Sequence, residues 1–222
     1  MSRTITSIEV QKRAKRRYNI YLDGEFAFSV HEDVLVSHRL SKGDRITDDR
    51  LEALLEAEER QLAWNSALSW LGRRIRSRKE MRDYLTRKGY AAGLIEETIE
   101  RLGEHGYLDD AAFAGQWARN RLEFQGRGSR WIREELRQKG IEPELVSASL
   151  DQLEDGSEAD SAYRLAVKKW RMLRNEEERV RRHKLKSYLL RRGYPGRIVQ
   201  EAVAKVAGRA PADEEVWFED DA

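Results

Sequence analysis

Two rhythms of apolar and polar positions divide this chain. Over residues 5–46 the period is close to two: Ile5, Ile8 and Val10 partly alternate with polar neighbours, and then Tyr18, Ile20 and Leu22, and Phe26, Phe28 and Val30, do the same. Alternate side chains of a strand point to opposite faces, so this pattern predicts strands with one buried face. Asp23-Gly24, between the last two runs, is a strong hairpin signal, because the favoured two-residue turn needs positive φ at both positions. Arg45-Ile46-Thr47 adds a short strand after Lys42-Gly43-Asp44, and a short helix is expected around Asp33–His38. The expectation is a small antiparallel sheet of three or four strands.

From Asp48 onward the period becomes helical. Leu51, Leu54, Leu55 and Leu62 follow helical spacing, with Asp48 and Asp49 at a plausible start and no clear break before Ala63–Arg74. An internal repeat then emerges when Lys88-Gly89-Tyr90, Lys139-Gly140-Ile141 and Arg192-Gly193-Tyr194 are superposed. Leu85, Leu136 and Leu189 precede the three glycines by the same interval, as do Met81, Ile132 and Leu185. Downstream, Leu94, Leu145 and Ile198, then Ile95, Val146 and Val199, then Ile99, Leu150 and Val203, then Leu102, Leu153 and Val206 recur in register. A further helix precedes each pair, at Ala63–Arg74, Ala111–Phe124 and Glu158–Arg174. Self-similarity at a fixed period marks a repeat architecture. The prediction is a mainly α protein of three tandem three-helix repeats in an elongated array, after a small antiparallel β-hairpin or sheet extension. The boundaries expected are 1–47 for the β-rich extension, 48–106, 107–155 and 156–208 for the repeats, and 209–222 for an acidic tail expected to be disordered.

Capping chemistry fits these boundaries. Gly106-Tyr107-Leu108-Asp109-Asp110 reads as a turn into a helix, with Asp109 or Asp110 able to accept from its free N–H groups. Phe113 and Trp117 share one face of that helix, and Gly126 and Gly128 break it. Ser129 is expected to cap the next helix, whose apolar stripe is Ile132 and Leu136 and whose left-handed C-terminal cap is Gly140. Ser77-Arg78-Lys79-Glu80 and Asn175-Glu176-Glu177-Glu178 fit capping boxes, and Pro143 and Pro195 suit first helical turns.

Charge changes this picture. The 222 residues hold 42 Lys and Arg against 40 Asp and Glu, but residues 212–222 carry six acids and no base. A basic body beside an acidic segment points toward nucleic acid or a nucleoprotein. Cysteine is absent, which excludes disulfides, thiol nucleophiles and thiolate metal sites. No apolar run approaches a membrane span and the N-terminus lacks a signal-peptide core, so a soluble cytoplasmic chain with no membrane association is expected.

Catalytic patterns are missing. His31, His38, His105 and His183 show no metal-ligand spacing, no serine sits in a Gly-x-Ser-x-Gly elbow, and no glycine run fits a phosphate loop. Adjacent side chains on a helix diverge, so Asp109 and Asp110 read as caps rather than a catalytic pair. No catalytic residue, metal or cofactor is expected. Basic side chains carry the remaining signal, because they recur at the same place in each repeat: Arg73, Arg74, Arg76, Arg78 and Lys79; Arg119, Arg121, Arg127, Arg130, Arg133, Arg137 and Lys139; Arg181, Arg182, Lys184, Lys186, Arg191 and Arg192. Arginine suits forked contacts to phosphate or carboxylate. The run Lys12–Arg17, with five bases in six residues, is either a solvated hairpin turn or a phosphate contact. Most of the six tryptophans sit near apolar stripes; Trp131 and Trp170 have basic neighbours and are the better stacking candidates. Trp217-Phe218 lies in the acidic segment. The tryptophan spacing lacks the regular interval of Myb-like readers, which disfavours sequence-specific DNA recognition.

Gly106-Tyr107-Leu108-Asp109-Asp110 with Phe113-Ala114, followed by Ile132-x-x-Glu135-Leu136-x-x-Lys139-Gly140-Ile141, resembles the signature of the RecX regulatory proteins. The likeness covers about residues 60–207, and the Tyr18–Val30 hairpin resembles an extension found in some members. Gly128-Ser129-Arg130-Trp131 departs from the Gly-Pro turn frequent in the family, and the acidic segment lies outside the shared pattern. The resemblance implies a monomeric, non-enzymatic regulator that binds RecA or its filament on single-stranded DNA and usually inhibits it, within DNA repair, recombination and the SOS response. Weak direct DNA binding is compatible with it. The alternatives are a general nucleic-acid-binding helical-repeat protein and a structural helical adaptor.

Overall fold

The computed structural model describes residues 2–12, 14, 16–153 and 156–208. The acidic segment, Trp217-Phe218, Arg13 and Lys15 lie outside the described residues. The chain divides into two compact units, one formed by residues up to Arg76 with Glu80–Leu108, the other by Ser77–Lys79 with the chain from Asp109 onward.

In the first unit, β1 (Ser2–Val10), β2 (Arg17–Leu22), β3 (Glu25–His31) and β4 (Arg45–Thr47) form one antiparallel sheet in the order β3-β2-β1-β4. Asp23 and Gly24 take φ of 51° and 94°, the left-handed pair the hairpin requires. The sheet buries Ile5, Ile20, Leu22, Phe28 and Val30 against α1 (Glu32–Ser37) and the first half of α2 (Asp48–Leu71). Thr47 begins α2, its hydroxyl accepting from the Arg50 N–H at 3.3 Å. The helix runs unbroken for 24 residues. Buried Glu58 accepts from the His31 N–H at 2.6 Å and pairs with the Arg17 guanidinium at 2.9 Å. That anchor joins sheet to helix, and it is absent from any apolar pattern. Farther along α2, Ala67 joins Met81 and Leu85 of α3 (Arg78–Arg87) and Ile95, Ile99 and Leu102 of α4 (Ala92–Glu104) in a second core.

The second unit contains α5 (Asp110–Glu123), α6 (Ser129–Gln138), α7 (Pro143–Asp151), α8 (Ser157–Met172), α9 (Glu178–Arg191) and α10 (Gly196–Ala207). One continuous core, from Phe113 to Val206, draws side chains from all six helices. The apolar positions that recur in the sequence are its members: Ile132, Leu136 and Val146 in one triplet, Leu185, Leu189 and Val199 in the next.

The repeated glycine does the same job three times. Gly89, Gly140 and Gly193 have φ of 89°, 74° and 86°. After each, the N–H of Tyr90, Ile141 or Tyr194 reaches back to the carbonyl of Leu85, Leu136 or Leu189, at 3.4, 3.1 and 3.3 Å. This is the Schellman closure, in which a left-handed residue lets the last helical carbonyls find donors.

Three capping expectations need correction. Gly128, not Ser129, occupies the N-cap of α6, and Ser129 is the first helical residue; its N–H donates to the Glu158 carboxylate at 2.6 Å, so the cap is supplied from α8. The Asn175 box does not form, since α9 starts at Glu178 with Glu177 at the N-cap and no side-chain cap bond. Pro195 is itself the N-cap of α10 rather than part of its first turn, whereas Pro143 does occupy the first turn of α7.

Gly128 and Gly193 are also a packing requirement. The Gly128 N–H donates to the Arg192 carbonyl at 2.9 Å and the Arg130 N–H to the Gly193 carbonyl at 3.0 Å, so two backbones touch. A Cβ on Gly128 would lie 2.5 Å from the Gly193 carbonyl carbon, and one on Gly193 would lie 2.5 Å from the backbone nitrogen of Trp131. By contrast, Gly156 has φ of 83° and open space around it. Gly128→Ala is therefore expected to destabilise by about 2–4 kcal/mol although its φ is −80°, because backbone must move to admit the methyl. Gly156→Ala is expected to cost only about 1–2 kcal/mol, the left-handed strain alone. Chemical denaturation of the two variants followed by circular dichroism checks the order.

Candidate functional site

The basic residues do not form one class. Some are committed to the fold. The Arg192 guanidinium donates to the Gln125 and Gly126 carbonyls at 2.8 and 3.3 Å, tying down the turn before α6. Arg121 pairs with Glu135 at 2.6 Å and lies 4.0 Å over the Trp117 ring. Lys139 lies 4.2 Å from the same ring. Arg127 covers Trp131 at 4.0 Å, and Arg74 pairs with Glu80 at 3.1 Å. Arg181 donates to the Trp170 carbonyl at 2.7 Å and stacks on its ring.

Others are exposed. Arg73, Arg119, Arg130 and Arg191 face solvent and have no carboxylate partner among the described residues. Arg133 makes only a 3.4 Å contact to the Ser147 hydroxyl, and Arg137 only a 3.9 Å approach to exposed Glu134. Arg130, Arg133 and Arg137 are spaced three and four apart on α6, so they line one helical face beside the buried Ile132 and Leu136. Exposed ion pairs of this length contribute almost nothing. The row is therefore open to a ligand carrying several negative charges.

What holds α6 in place is polar and half-buried. Glu135 accepts from Trp117 Nε1 at 3.0 Å and from Arg121 Nε at 2.6 Å. Burial alone pushes its carboxyl upward, but hydrogen bonds from Arg121, Trp117 and Trp131 and the Arg121 charge overcome that and hold it below the usual carboxylate value. Trp131 is 38% exposed and Arg127 covers one side of its ring. Trp170 is buried in the core under Arg181, so of the two stacking candidates it is removed as a surface platform.

The signature residues are structural. Gly106 takes φ of 72° after α4, and the Tyr107 N–H reaches back to the Leu102 carbonyl at 2.8 Å. Leu108 is buried. Asp109 caps α5, one carboxylate oxygen accepting from Ala111 and Ala112 at 2.8 and 3.0 Å. Asp110 is a cap too, but for another helix: it accepts from the Arg78 N–H at 2.9 Å, within the unit to which Ser77–Lys79 belongs. Glu158 does the same for Ser129. An acid in the first turn of one helix capping the first turn of another recurs, and no local motif announces it.

This is a tandem helical-repeat protein whose candidate site is a row of exposed cations on a rigidly held helix. Comparison with known proteins makes the assignment narrower. Profiles described as the Regulatory protein RecX N-terminal domain, and the RecX first, second and third three-helix domains, match residues 3–47, 63–102, 109–150 and 157–203. The chain belongs to the RecX family of regulatory proteins. It is 31% identical over 201 residues to Regulatory protein RecX of Listeria monocytogenes serotype 4a, covering 90% of this chain and 75% of that one. Its counterpart in Bacillus cytotoxicus is 34% identical, with 88% and 74% covered. A crystal structure of regulatory protein RecX superposes with a TM-score of 0.75 at 32% identity, over 90% of this chain and 98% of that chain. The structure of RecX from Lactobacillus salivarius, at 24% identity and a TM-score of 0.64 over 68% of this chain and 97% of that one, shares the fold. Among the described residues, no helix is long and apolar enough to cross a membrane.

The Glu135 site makes a pH prediction. Its folded pKa lies below its reference value of 4.5, so its stabilising contribution is fully present above about pH 4.5 and is lost as pH falls through the lower folded value. Glu135→Gln is expected to flatten that part of the stability–pH curve while lowering stability at pH 7. Urea denaturation of both proteins at pH 7 and pH 3.5 measures it.

Proposed function

We propose that this chain regulates a RecA-type recombinase by binding RecA or its filament on single-stranded DNA, that the effect is inhibitory, and that it acts without catalysis, as a monomer in the cytoplasm. Family membership supports the regulatory role. The observation that carries the binding reading is the Arg130–Arg133–Arg137 row, three guanidinium groups on one face with no short carboxylate contact among the described residues. A filament offers both phosphates and acidic protein surface, and forked guanidinium groups serve either. Arg73, Arg119 and Arg191 are the further contact candidates. Arg74, Arg121, Arg127, Arg192 and Lys139, each already held by the fold, act by positioning the turns rather than as primary contacts.

The test is the single-stranded-DNA-dependent ATPase of RecA with the protein added at substoichiometric ratio. Native protein is expected to depress the rate, and the triple variant Arg130→Glu, Arg133→Glu and Arg137→Glu to lose at least about tenfold in potency, with helical circular dichroism unchanged. Those side chains are exposed, so reversal leaves the core intact. An unchanged ATPase together with tight binding to bare DNA would instead favour a general nucleic-acid-binding protein. Retained inhibition by the triple variant removes α6 as the contact surface.

A further inference from the structure

The most basic helix of the second unit is α9, with Arg179, Arg181, Arg182, Lys184, Lys186 and Arg191 against a single acid, Glu178. Half of those cations are spent. Arg181 is held on Trp170, Arg182 pairs with Glu178, and Lys184 pairs with Glu176. Arg179, Lys186 and Arg191 are exposed and have no carboxylate partner among the described residues. Arg179, His183, Lys186 and Leu190 fall at spacings of four, three and four, so they share one outward face, and Leu190 is 40% exposed at its end. A face of unpaired cations ending in an apolar side chain asks for an anionic partner with an apolar element.

The chain carries such a partner. Residues 213–221 read Asp-Glu-Glu-Val-Trp-Phe-Glu-Asp-Asp, two acidic triplets around an apolar one, with no base. They follow α10, the last helix among the described residues, which packs against α9 within the same unit. The tether is short: Asp213 is five residues beyond Gly208, a reach of at most about 18 Å, and Asp221 is thirteen residues beyond it, at most about 47 Å. α10, at twelve residues, is about 18 Å long. The acidic segment is thus tethered at a range comparable with the length of the helix that packs against α9. A tethered segment at this range acts at millimolar effective concentration, so even a docking constant of about 100 µM leaves the site occupied about ten to one.

We propose that residues 213–221 fold back onto the Arg179–His183–Lys186–Leu190 face of α9, beside which Arg191 lies at the helix C-terminus, and hold it in competition with an external polyanion. The docking stands on the charges and tether alone; only the identity of the competitor rests on the function proposed above.

The experiment uses the full chain with Asp213, Asp220 and Asp221 changed to Asn and Glu214, Glu215 and Glu219 to Gln. A fluorescein-labelled peptide of residues 212–222 is titrated by anisotropy at 50 mM salt. It is expected to bind this neutralised chain about tenfold more tightly than the native chain, whose own segment fills the site. Adding Arg179→Glu, Lys186→Glu and Arg191→Glu to the neutralised chain is expected to abolish peptide binding, and 300 mM salt to weaken it strongly. Labelled oligo-dT, titrated in parallel, is expected to show the same tenfold gap between neutralised and native chains. Equal peptide binding by native and neutralised chains, or peptide binding that survives the α9 reversal, overturns the proposal even if a gap in DNA binding persists, since long-range repulsion alone would produce that gap. If the peptide pattern holds while oligo-dT and RecA filaments bind neither chain, docking stands and the nucleoprotein reading fails.

Discussion

The second unit depends on a place where no side chain fits. Residues 128–130 and 192–194 are joined backbone to backbone, by Gly128 N–H to the Arg192 carbonyl and Arg130 N–H to the Gly193 carbonyl. A methyl on either glycine would sit in the other strand's backbone. The arginine carbonyl that accepts belongs to a residue whose guanidinium reaches the carbonyls of the same turn, so one residue secures that turn twice. Behind the contact Tyr194 is fully buried, its hydroxyl 2.9 Å from Ser161, whose own hydroxyl donates to the Leu122 carbonyl. Burial pushes the Tyr194 hydroxyl above its ordinary pKa. The orientation of α6, and so of its arginine row, follows from this joint.

Much of the frame was legible in the sequence because it rests on periodicity and on glycine. Strand alternation, the Asp23-Gly24 turn and the threefold spacing around Gly89, Gly140 and Gly193 are local patterns, and the architecture follows them. What stayed hidden was nonlocal. Glu158 capping Ser129 and Asp110 capping Arg78 act across 29 and 32 residues, and nothing in either short stretch distinguishes such a cap from a solvated acid. The expected Ser129 cap was a reasonable local reading that lost to a carboxylate from another helix: an ionised acceptor makes a stronger bond to a backbone N–H than a hydroxyl does. Glu58 is the same lesson in the first unit, a charged residue on a helix that composition alone would send to water.

The candidate site was legible only as a population. Sequence counts the arginines but does not say which are bound. Arg121 and Arg133 sit on helices in the same repeat, yet the first is locked between Glu135 and Trp117 and the second is exposed with one long contact. Tryptophan decides much of this sorting. A guanidinium spreads its charge over a plane and is weakly hydrated, so it lies flat on an indole at small desolvation cost. Arg76 over Trp70, Arg101 over Trp64, Arg121 over Trp117, Arg127 over Trp131 and Arg181 over Trp170 all sit above the ring, with separations between 3.8 and 4.2 Å. These pairs explain why so many tryptophans coexist with so many arginines without a nucleobase to stack on.

The repeats agree in frame and differ in face, and that difference limits where a partner can be recognised. Buried positions are nearly interchangeable: Met81, Ile132 and Leu185, then Leu85, Leu136 and Leu189. The outward positions are not. Lys79, Arg130 and His183 correspond in sequence, as do Arg82, Arg133 and Lys186, and then Thr86, Arg137 and Leu190. Arg82 is consumed by a two-pronged bond to Glu96 at 2.6 and 2.8 Å, while its counterparts are not held in this way. Three copies of one scaffold therefore present a face whose arginine is paired, an arginine face and a mixed cationic–apolar face. Equal faces would present one chemistry three times; these present a different one in each repeat.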